Sequence, residues 1–221
     1  MATMTLTLAE ARLAGKTNEI RFDGDIDRVV FVAAGDATFT AERLLHRHRE
    51  GEGFHCRGSL AVTAESEETT VWIWQLAEAS QDSLPDGAVL KLRQDIEVGS
   101  GERVMRLDRV DFPPGAAALT HVHPGPGIRI VLAGRIGIQQ GDSQMKYMSA
   151  GEPWFESGPD PVYAPTTEER STTFIRCMVL PMEWRGRNTI RYVRSEDADK
   201  PKLQQYRRYV DATIQIPAAR I

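Results

Sequence analysis

Two histidines separated by one residue are the feature of this sequence with the clearest potential for chemistry. His121-Val122-His123 follows a Pro-Pro-Gly turn at residues 113–115. Residues two apart on a β-strand point to the same face, so both imidazoles can converge on one ion or one substrate. Neutral imidazoles are common ligands of divalent metals. The alternative is that the two histidines lie on a solvent-exposed loop and bind nothing.

The elements that must position this pair are predicted to be β-strands. Residues 89–98 alternate between apolar and charged side chains, which indicates a half-buried strand, and residues 69–76 are rich in β-branched and aromatic types. Further short strands are predicted at residues 103–112, 128–132, 135–139, 154–155, 172–180 and 213–216. Closely spaced short strands without a helical period between them predict an antiparallel sandwich or barrel.

Short helices are predicted only near the two ends of the chain. Thr7, followed three residues later by Glu10, has the pattern of a helix N-cap and predicts a helix over residues 7–14. A second helix is predicted over residues 200–211, with Pro201 in its first turn. No segment resembles a linker. We therefore predict one barrel domain at residues 69–181, an N-terminal extension at residues 1–68 that packs on it, and a C-terminal extension at residues 182–221.

Composition indicates a soluble, cytoplasmic protein whose partner is a small molecule. The 221-residue chain has a formal net charge of −4, which argues against nucleic acid or an anionic membrane as the partner. Cys56 and Cys177 form no CxxC motif, as suits a reducing compartment. The sequence has no apolar run long enough to span a membrane, and residues 1–16 lack the pattern of a signal peptide.

The spacing around the two histidines resembles the first signature of the cupin superfamily, G-x5-HxH-x3-E-x6-G. Gly115, His121, His123 and Gly134 occupy the corresponding positions, and the apolar segment IRIVLAGRIGI is similar to the strand–turn–strand that follows in cupins. The resemblance covers about residues 72–181. It implies an all-β fold, a cupin-type antiparallel β-barrel of the jelly-roll kind, with short helices confined to the terminal extensions.

The resemblance is incomplete at the metal ligands. The glutamate of the first signature falls on Gly127, and the histidine and asparagine of the second fall on Pro161 and Pro165. Of the usual three histidines and one glutamate, only the two histidines remain. The sequence therefore leaves the existence of a metal site open.

In the first account, one divalent metal ion (Fe, Mn, Zn or Ni) is held by His121, His123 and a substitute oxygen ligand. Glu156 is the first candidate for that ligand, ahead of Asp160 and Tyr163. The resemblance then implies a metal-dependent enzyme of the dioxygenase, lyase or isomerase type that acts on a small organic acid or aromatic compound. In the second account, the protein is a non-catalytic small-molecule binder that has lost its metal.

Two residues are candidates for binding a substrate. Arg129 points into the barrel if Ile128 and Ile130 face outward, and there it can clamp a carboxylate; if those two residues line the barrel, Arg129 lies on the surface. Tyr163 is the second candidate because it lies in the segment that should return to the barrel mouth.

Duplication and assembly are the remaining questions. His46-Arg47-His48 repeats the HxH spacing, but it lacks the glycine turn and the apolar strand, so we predict a helix end or polar loop there and no second barrel. In the tail, Leu203, Tyr206 and Val210 recur at helical spacing. Such a stripe must be buried, which predicts a homodimer or packing on its own barrel.

Overall fold

The computed structural model describes residues 2–15 and 18–218, and these residues form two compact units. The first unit comprises the described residues up to Ser100 together with the chain from Ile216 onward, and the second comprises Gly101–Gln215. Both units are built almost entirely from antiparallel strands. None of the helices in the described part of the chain has the length and apolar character needed to cross a membrane.

The first unit consists of two antiparallel sheets. One sheet has the strand order β6-β3-β8-β1-β9 and the other has the order β2-β7-β4-β5. The strands are β1 (Ala2–Ala14), β2 (Glu19–Phe22), β3 (Asp27–Ala34), β4 (Ala37–Ala41), β5 (Leu44–His48), β6 (Gly53–Arg57), β7 (Leu60–Ala64), β8 (Glu68–Ala77) and β9 (Ala88–Val98), with a 3-10 turn at Ala79–Gln81.

The second unit also consists of two sheets, with the orders β15-β12-β17-β10-β19 and β14-β13-β16-β11-β18. A 3-10 turn at Met182–Trp184 and a single helical turn, α1 (Ser195–Ala198), interrupt its strands. The strands are β10 (Gly101–Phe112), β11 (Ala117–Val122), β12 (Gly127–Ala133), β13 (Arg135–Gln140), β14 (Lys146–Ser149), β15 (Pro153–Glu156), β16 (Val162–Pro165), β17 (Thr172–Pro181), β18 (Arg191–Tyr192) and β19 (Gln205–Ile216).

The second unit repeats the topology of the first. The order β6-β3-β8-β1-β9 corresponds strand by strand to β15-β12-β17-β10-β19, and β2-β7-β4-β5 corresponds to β11-β16-β13-β14. The pairing of β3 with β8 slips between Val32 and Ala34, and the pairing of β12 with β17 slips at the corresponding place between Val131 and Ala133. The chain therefore holds two jelly-roll units, and the expectation of no second barrel is wrong.

The division of the chain also differs from the predicted boundaries. The predicted boundary between residues 68 and 69 falls at the start of β8, which lies between β3 and β1 in one sheet. Residues 1–68 are therefore not an extension, because most strands of the first unit come from them. The segment His46-Arg47-His48, predicted as a helix end or loop, lies within β5 and pairs with β4.

Both terminal helices predicted from the sequence are strands in the structure. The segment 7–14 belongs to β1, which is paired on both sides by β8 and β9 and is buried over most of its length. Its Thr-x-x-Glu pattern matches a helix cap, but burial on both faces and two hydrogen-bonded neighbours override that local preference.

The tail from residue 205 is the long strand β19, which neighbours β10. Val210, Ile214 and Ile216 are buried at intervals of two or four residues, which is the strand period. The predicted helical stripe therefore does not exist: Leu203 precedes the strand and is exposed. The predicted homodimer loses the apolar helix face on which it was argued. The homodimer itself stays a prediction.

The turn between β12 and β13 needs glycine for steric reasons. Gly134 has φ of +81°, and a Cβ there would lie 2.5 Å from both the Ser171 carbonyl oxygen and Thr172 Oγ1. Gly141 has φ of +53° with no heavy atom within 4 Å of its Cβ position. Both backbones are left-handed, but only Gly134 is also crowded.

We expect Gly134→Ala to destabilise the protein by more than Gly141→Ala. A left-handed alanine costs about 1–2 kcal/mol at either position, and the overlap at Gly134 adds to it. Urea unfolding of the two variants checks this difference. Equal losses of stability in the two variants would show that Ser171 and Thr172 can move away from the added methyl group without lowering the free energy of unfolding.

The two thiols are expected to be inert in the folded protein. Cys56 and Cys177 are free and buried, and burial raises the pKa of the Cys56 thiol to about 12. Since the thiolate is the reactive species, neither cysteine should react with a thiol reagent at pH 8 until the protein is unfolded. Rapid modification of the native protein at pH 8 would contradict the packing of these strands.

Candidate metal centre

Four strands of the second unit place ionisable side chains in its interior. His121 lies on β11 and His123 just after it, Arg129 lies on β12, Glu156 ends β15, and Arg176 lies on β17. All five are buried, with 1–5% of each residue exposed. Buried charges of this kind are costly unless they are paired or bind a ligand, so their presence in one interior marks a site.

The two imidazoles present their Nε2 atoms to each other at 3.1 Å. Nδ1 of His121 lies 2.7 Å from the carbonyl oxygen of Leu119, and Nδ1 of His123 lies 3.2 Å from that of Thr189. A carbonyl oxygen can only accept, so each Nδ1 donates and carries the proton. Each Nε2 therefore offers a lone pair toward the same point.

Both histidines are held in the neutral form. Burial lowers the pKa of His121, an effect that nearby Glu156 partly opposes. Burial lowers the pKa of His123 well below the ordinary value, and the positive charges of Arg176 and Arg129 lower it further. A proton shared between the two Nε2 atoms is therefore disfavoured, and the facing lone pairs are left without a bridging hydrogen.

Glu156 is the nearest anionic group to the imidazoles. Its Oε2 lies 3.8 Å from His123 Nε2 and 2.7 Å from Arg129 Nη2. Because His123 is neutral, only the contact between Glu156 and Arg129 is an ion pair. Arg129 Nη2 and Glu156 Oε2 do not have the geometry of a hydrogen bond, so their interaction is electrostatic. The Trp154 indole N–H donates to Oε1 at 2.8 Å. Ligand atoms of His121, His123 and Glu156 all lie within 4.8 Å of one another.

The second arginine is held by the neighbouring strand. Nε and Nη2 of Arg176 both donate to Oδ2 of buried Asp108 at 3.1 and 3.0 Å, and Nη2 lies 3.3 Å from Thr189 Oγ1. The ring of Tyr206 covers the guanidinium at 5.4 Å. Arg176 is also the direct cross-strand partner of Arg129. Two like charges opposite each other in an interior need compensating anions, and Glu156 and Asp108 supply them.

A small cavity lies between these groups. Its water-accessible volume is about 20 Å³, which is room for about one water molecule or ion. Its lining combines the five ionisable side chains with an apolar and aromatic wall: Val110, Phe112, Ala118, His121, His123, Arg129, Trp154, Glu156, Ala164, Phe174, Arg176 and Tyr206.

The first unit has none of this chemistry at the corresponding positions. Matching strand registers place Phe22 where the second unit has His121, Val30 in place of Arg129, Cys56 in place of Glu156 and Ile73 in place of Arg176. All four belong to one buried apolar cluster. The same barrel is thus filled by a hydrophobic core in one unit and by ionisable groups in the other.

The structure brings together most of the residues singled out in the sequence. His121, His123, Glu156 and Arg129 share the cavity, and Arg129 points inward because Ile128 and Ile130 are buried on the opposite face of β12. Arg129 does not extend toward a free position: it contacts Glu156, and its Nη1 donates to the Gly127 carbonyl oxygen. Burial lowers its pKa to about 10, so it is charged at neutral pH.

Tyr163 and Asp160 lie outside the cavity. Val162 and Ala164, the neighbours of Tyr163 on β16, are the residues buried in the interior, so strand alternation directs Tyr163 to the other face. The expectation that Tyr163 binds substrate is therefore wrong for this cavity. Asp160 is exposed and accepts a hydrogen bond from Ser157 Oγ at 2.7 Å.

Sequence reasoning missed Arg176, Asp108 and the role of Trp154. The signal for Arg176 is a single arginine within the apolar run TTFIRCMVLP of β17, since an arginine inside a buried strand needs a partner. Trp154 is buried in the core cluster, and its indole N–H also donates to Glu156.

Comparisons with known proteins agree with this architecture. No protein-family model matches the sequence, and no curated protein matches it. Among solved structures, oxalate decarboxylase of Lactobacillus farciminis aligns with a TM-score of 0.62 at 10% identity and covers 88% of this chain and 82% of that one. AerE of Microcystis aeruginosa aligns with a TM-score of 0.61 at 12% identity and covers 79% and 88%. Procruciferin, an 11S globulin of Brassica napus, aligns with a TM-score of 0.58 at 8% identity and covers 78% and 76%.

The fold and the interior together define an all-β jelly-roll protein with an ionisable site in one of its two units. The solved structures with which the chain aligns share this all-β fold. Since an oxalate decarboxylase and an 11S globulin share it at 8–10% identity, the likeness shows the fold and leaves the function to be argued from the site.

We expect Glu156→Gln to destabilise the second unit by about 3–5 kcal/mol, because it leaves the buried charge of Arg129 without a counterion. The double variant Glu156→Gln/Arg129→Met removes both charges and should recover most of that loss. Hydrogen–deuterium exchange of β12 and β17 measures the effect within this unit. Unchanged protection in Glu156→Gln would show that the ion pair is not needed.

Proposed function

We propose that this protein is a metal-dependent cupin-type enzyme that acts on a small organic acid in the cavity of its second unit. His121, His123 and Glu156 would hold one divalent metal ion. A dioxygenase, lyase or isomerase type of reaction suits such a centre. When bound, the metal would supply Lewis acidity and coordination positions open to substrate.

The observation that carries this proposal is the pair of facing Nε2 lone pairs. Two neutral imidazoles with their acceptor atoms 3.1 Å apart repel each other unless a cation lies between them. Metal–nitrogen bonds are about 2.0–2.1 Å long, so two ligand atoms at this separation can bind one ion without moving apart. The backbone carbonyls that orient each Nδ1 are the second-shell partners that metal-binding histidines normally have.

Charge and volume favour a small organic acid as the substrate. The charges of Arg129 and Arg176 are balanced by those of Glu156 and Asp108, so a divalent ion would leave the interior with two uncompensated positive charges. A carboxylate carries one negative charge and would neutralise half of that excess. The cavity volume of about 20 Å³ holds about one ion, so the wall would have to move to admit an acid beside the metal, and it would have to move less for a compact acid than for an aromatic compound.

The protein's own side chains would divide the work. Arg129 and Trp154 hold the Glu156 carboxylate from two sides and thereby fix its direction. Arg176, buried beside Asp108 and Tyr206, contributes a fixed positive charge for an acid group. Phe112 and Phe174 line the cavity and give it an apolar wall.

A metal-free binder is the competing function, and one observation favours it. The four charged side chains already sum to zero, so the interior balances without a metal. In that case the two imidazoles would hydrogen-bond a small polar ligand directly, for example through a shared acidic proton.

We expect tag-free protein to bind about one equivalent of Co²⁺, and His121→Ala and His123→Ala each to lose most of that binding while remaining folded. The d–d absorption of the Co²⁺ complex and elemental analysis after dialysis measure this. The matched control is His46→Ala/His48→Ala, which changes an identically spaced pair on β5. Retained binding in the His121 and His123 variants, or loss in the control, would place the metal elsewhere. No binding in wild-type protein would favour the metal-free binder.

A further inference from the structure

The first unit contains a cavity that its apolar core does not fill. Its volume is about 310 Å³, within the range of small-molecule sites. The floor is apolar, formed by the buried Phe22, Leu60 and Ala61, and the rim carries Arg21, Arg43 and Arg57. Arg21, Thr40 and Ala61, which also line the cavity, pair with one another and alternate along their strands with Phe22, Ala41 and Leu60 of the apolar core, so the cavity extends over the face of the sheet β2-β7-β4-β5 that is turned away from that core.

A strained hairpin forms part of this rim. Strands β4 and β5 are joined by Glu42 and Arg43, whose φ angles are +50° and +63°. Glycine and asparagine usually occupy such positions, because a side chain in the left-handed region costs about 1–2 kcal/mol. Strained non-glycine residues concentrate at functional sites, so two of them lining one cavity call for an explanation.

Glu42 has a structural explanation and Arg43 has none. Glu42 Oε1 accepts a hydrogen bond from the Arg57 backbone N–H at 3.3 Å, which ties the hairpin to β6. Among the described residues, Arg43 has no hydrogen-bond or ion-pair partner. The other two rim arginines are engaged, because Arg21 pairs with Glu19 and Arg57 with Asp25 and Asp27.

The loops that border the cavity are held from beneath by a buried guanidinium. Arg28 is fully buried, and its Nη atoms donate to the carbonyl oxygens of Asp23, Gly24 and Gly58. Asp23 and Gly58 both line the cavity. Fixed loops around an apolar floor make a preformed site rather than a groove that opens on contact.

We propose that this cavity binds a small carboxylate with an apolar body, and that Arg43 recognises the carboxylate. The apolar part would lie on Phe22, Leu60 and Ala61. Of the three arginines that line the cavity, Arg21 and Arg57 are already neutralised by their carboxylate partners, so the attraction for an anion would come from Arg43. Arg43 is the arginine without a carboxylate partner in the described chain, and its planar fork matches a carboxylate. This site is independent of the metal centre proposed above.

The test is a fluorescence titration of the full-length protein with 1-naphthoate, with its neutral amide, 1-naphthamide, as the second probe. We expect naphthoate to bind with one-to-one stoichiometry and the amide at least tenfold more weakly. Arg43→Asn removes the charge but tolerates the left-handed backbone, and it should weaken naphthoate at least tenfold. The matched control is Arg47→Asn, an equal charge change at an exposed position on β5 outside the cavity, which should leave binding unchanged.

Thermal unfolding gives a second readout. Because Arg43→Asn relieves strain and breaks no described contact, its midpoint without ligand should equal or exceed that of wild type, and the upward shift that naphthoate gives wild type should be lost. A lowered midpoint with unchanged naphthoate affinity would mean that Arg43 is structural, and it would overturn the proposal. Equal affinity for naphthoate and naphthamide would also overturn it. The same holds for an equal loss of naphthoate affinity in Arg43→Asn and Arg47→Asn, or for no naphthoate binding at millimolar concentration. Removing metal with a chelator should not alter any of these results.

Discussion

The interior of the second unit depends on the pairing of two buried arginines with two buried carboxylates. Arg129 and Arg176 are direct cross-strand neighbours on β12 and β17, so each would repel the other if Glu156 and Asp108 were absent. Such pairs rarely add stability over apolar packing. The first unit shows that the same topology folds with apolar residues at these positions, since Val30 and Ile73 occupy the places of the two arginines. The charges of the second unit are therefore best explained by chemistry rather than by folding.

The same charges determine the state of the histidines. Burial and the two guanidinium groups lower the pKa of His123, so its imidazole stays neutral where a solvent-exposed histidine begins to gain a proton. Glu156 acts in the opposite direction on His121, but burial is the larger effect. With Nδ1 of each ring donating to a carbonyl oxygen, neutrality leaves both Nε2 atoms as acceptors directed at one another. The two acceptor atoms and the Glu156 carboxylate therefore form a group of ligand atoms that could hold a cation, while burial disfavours a proton on either imidazole.

Much of the second unit was predictable from the sequence, and most of the first was not. In the second unit, the strand at residues 103–112 was predicted, and the cupin resemblance follows from the spacing of Gly115, His121, His123 and Gly134. In the first unit, alternation predicts the strand at residues 89–98. The duplication is visible in sequence only as weak likeness, such as VVFVAAG at residues 29–35 beside IRIVLAG at residues 128–134. It was missed because the histidine pair that marks one copy has no equivalent in the other. The long strands β1 and β19 contain helix-like local patterns, but their conformation is decided by pairing with neighbours far along the chain, which local patterns do not report.

The two units show how one scaffold supports two kinds of interior. Filling the first barrel with Phe22, Val30, Cys56 and Ile73 gives it a buried apolar core. Placing ionisable groups at the equivalent positions of the second barrel brings polar chemistry to its centre and reduces the free volume to about 20 Å³. A buried polar centre is narrow, because every ionisable group in it must contact a partner. The polarity of the barrel centre is thus what distinguishes the second unit from the first.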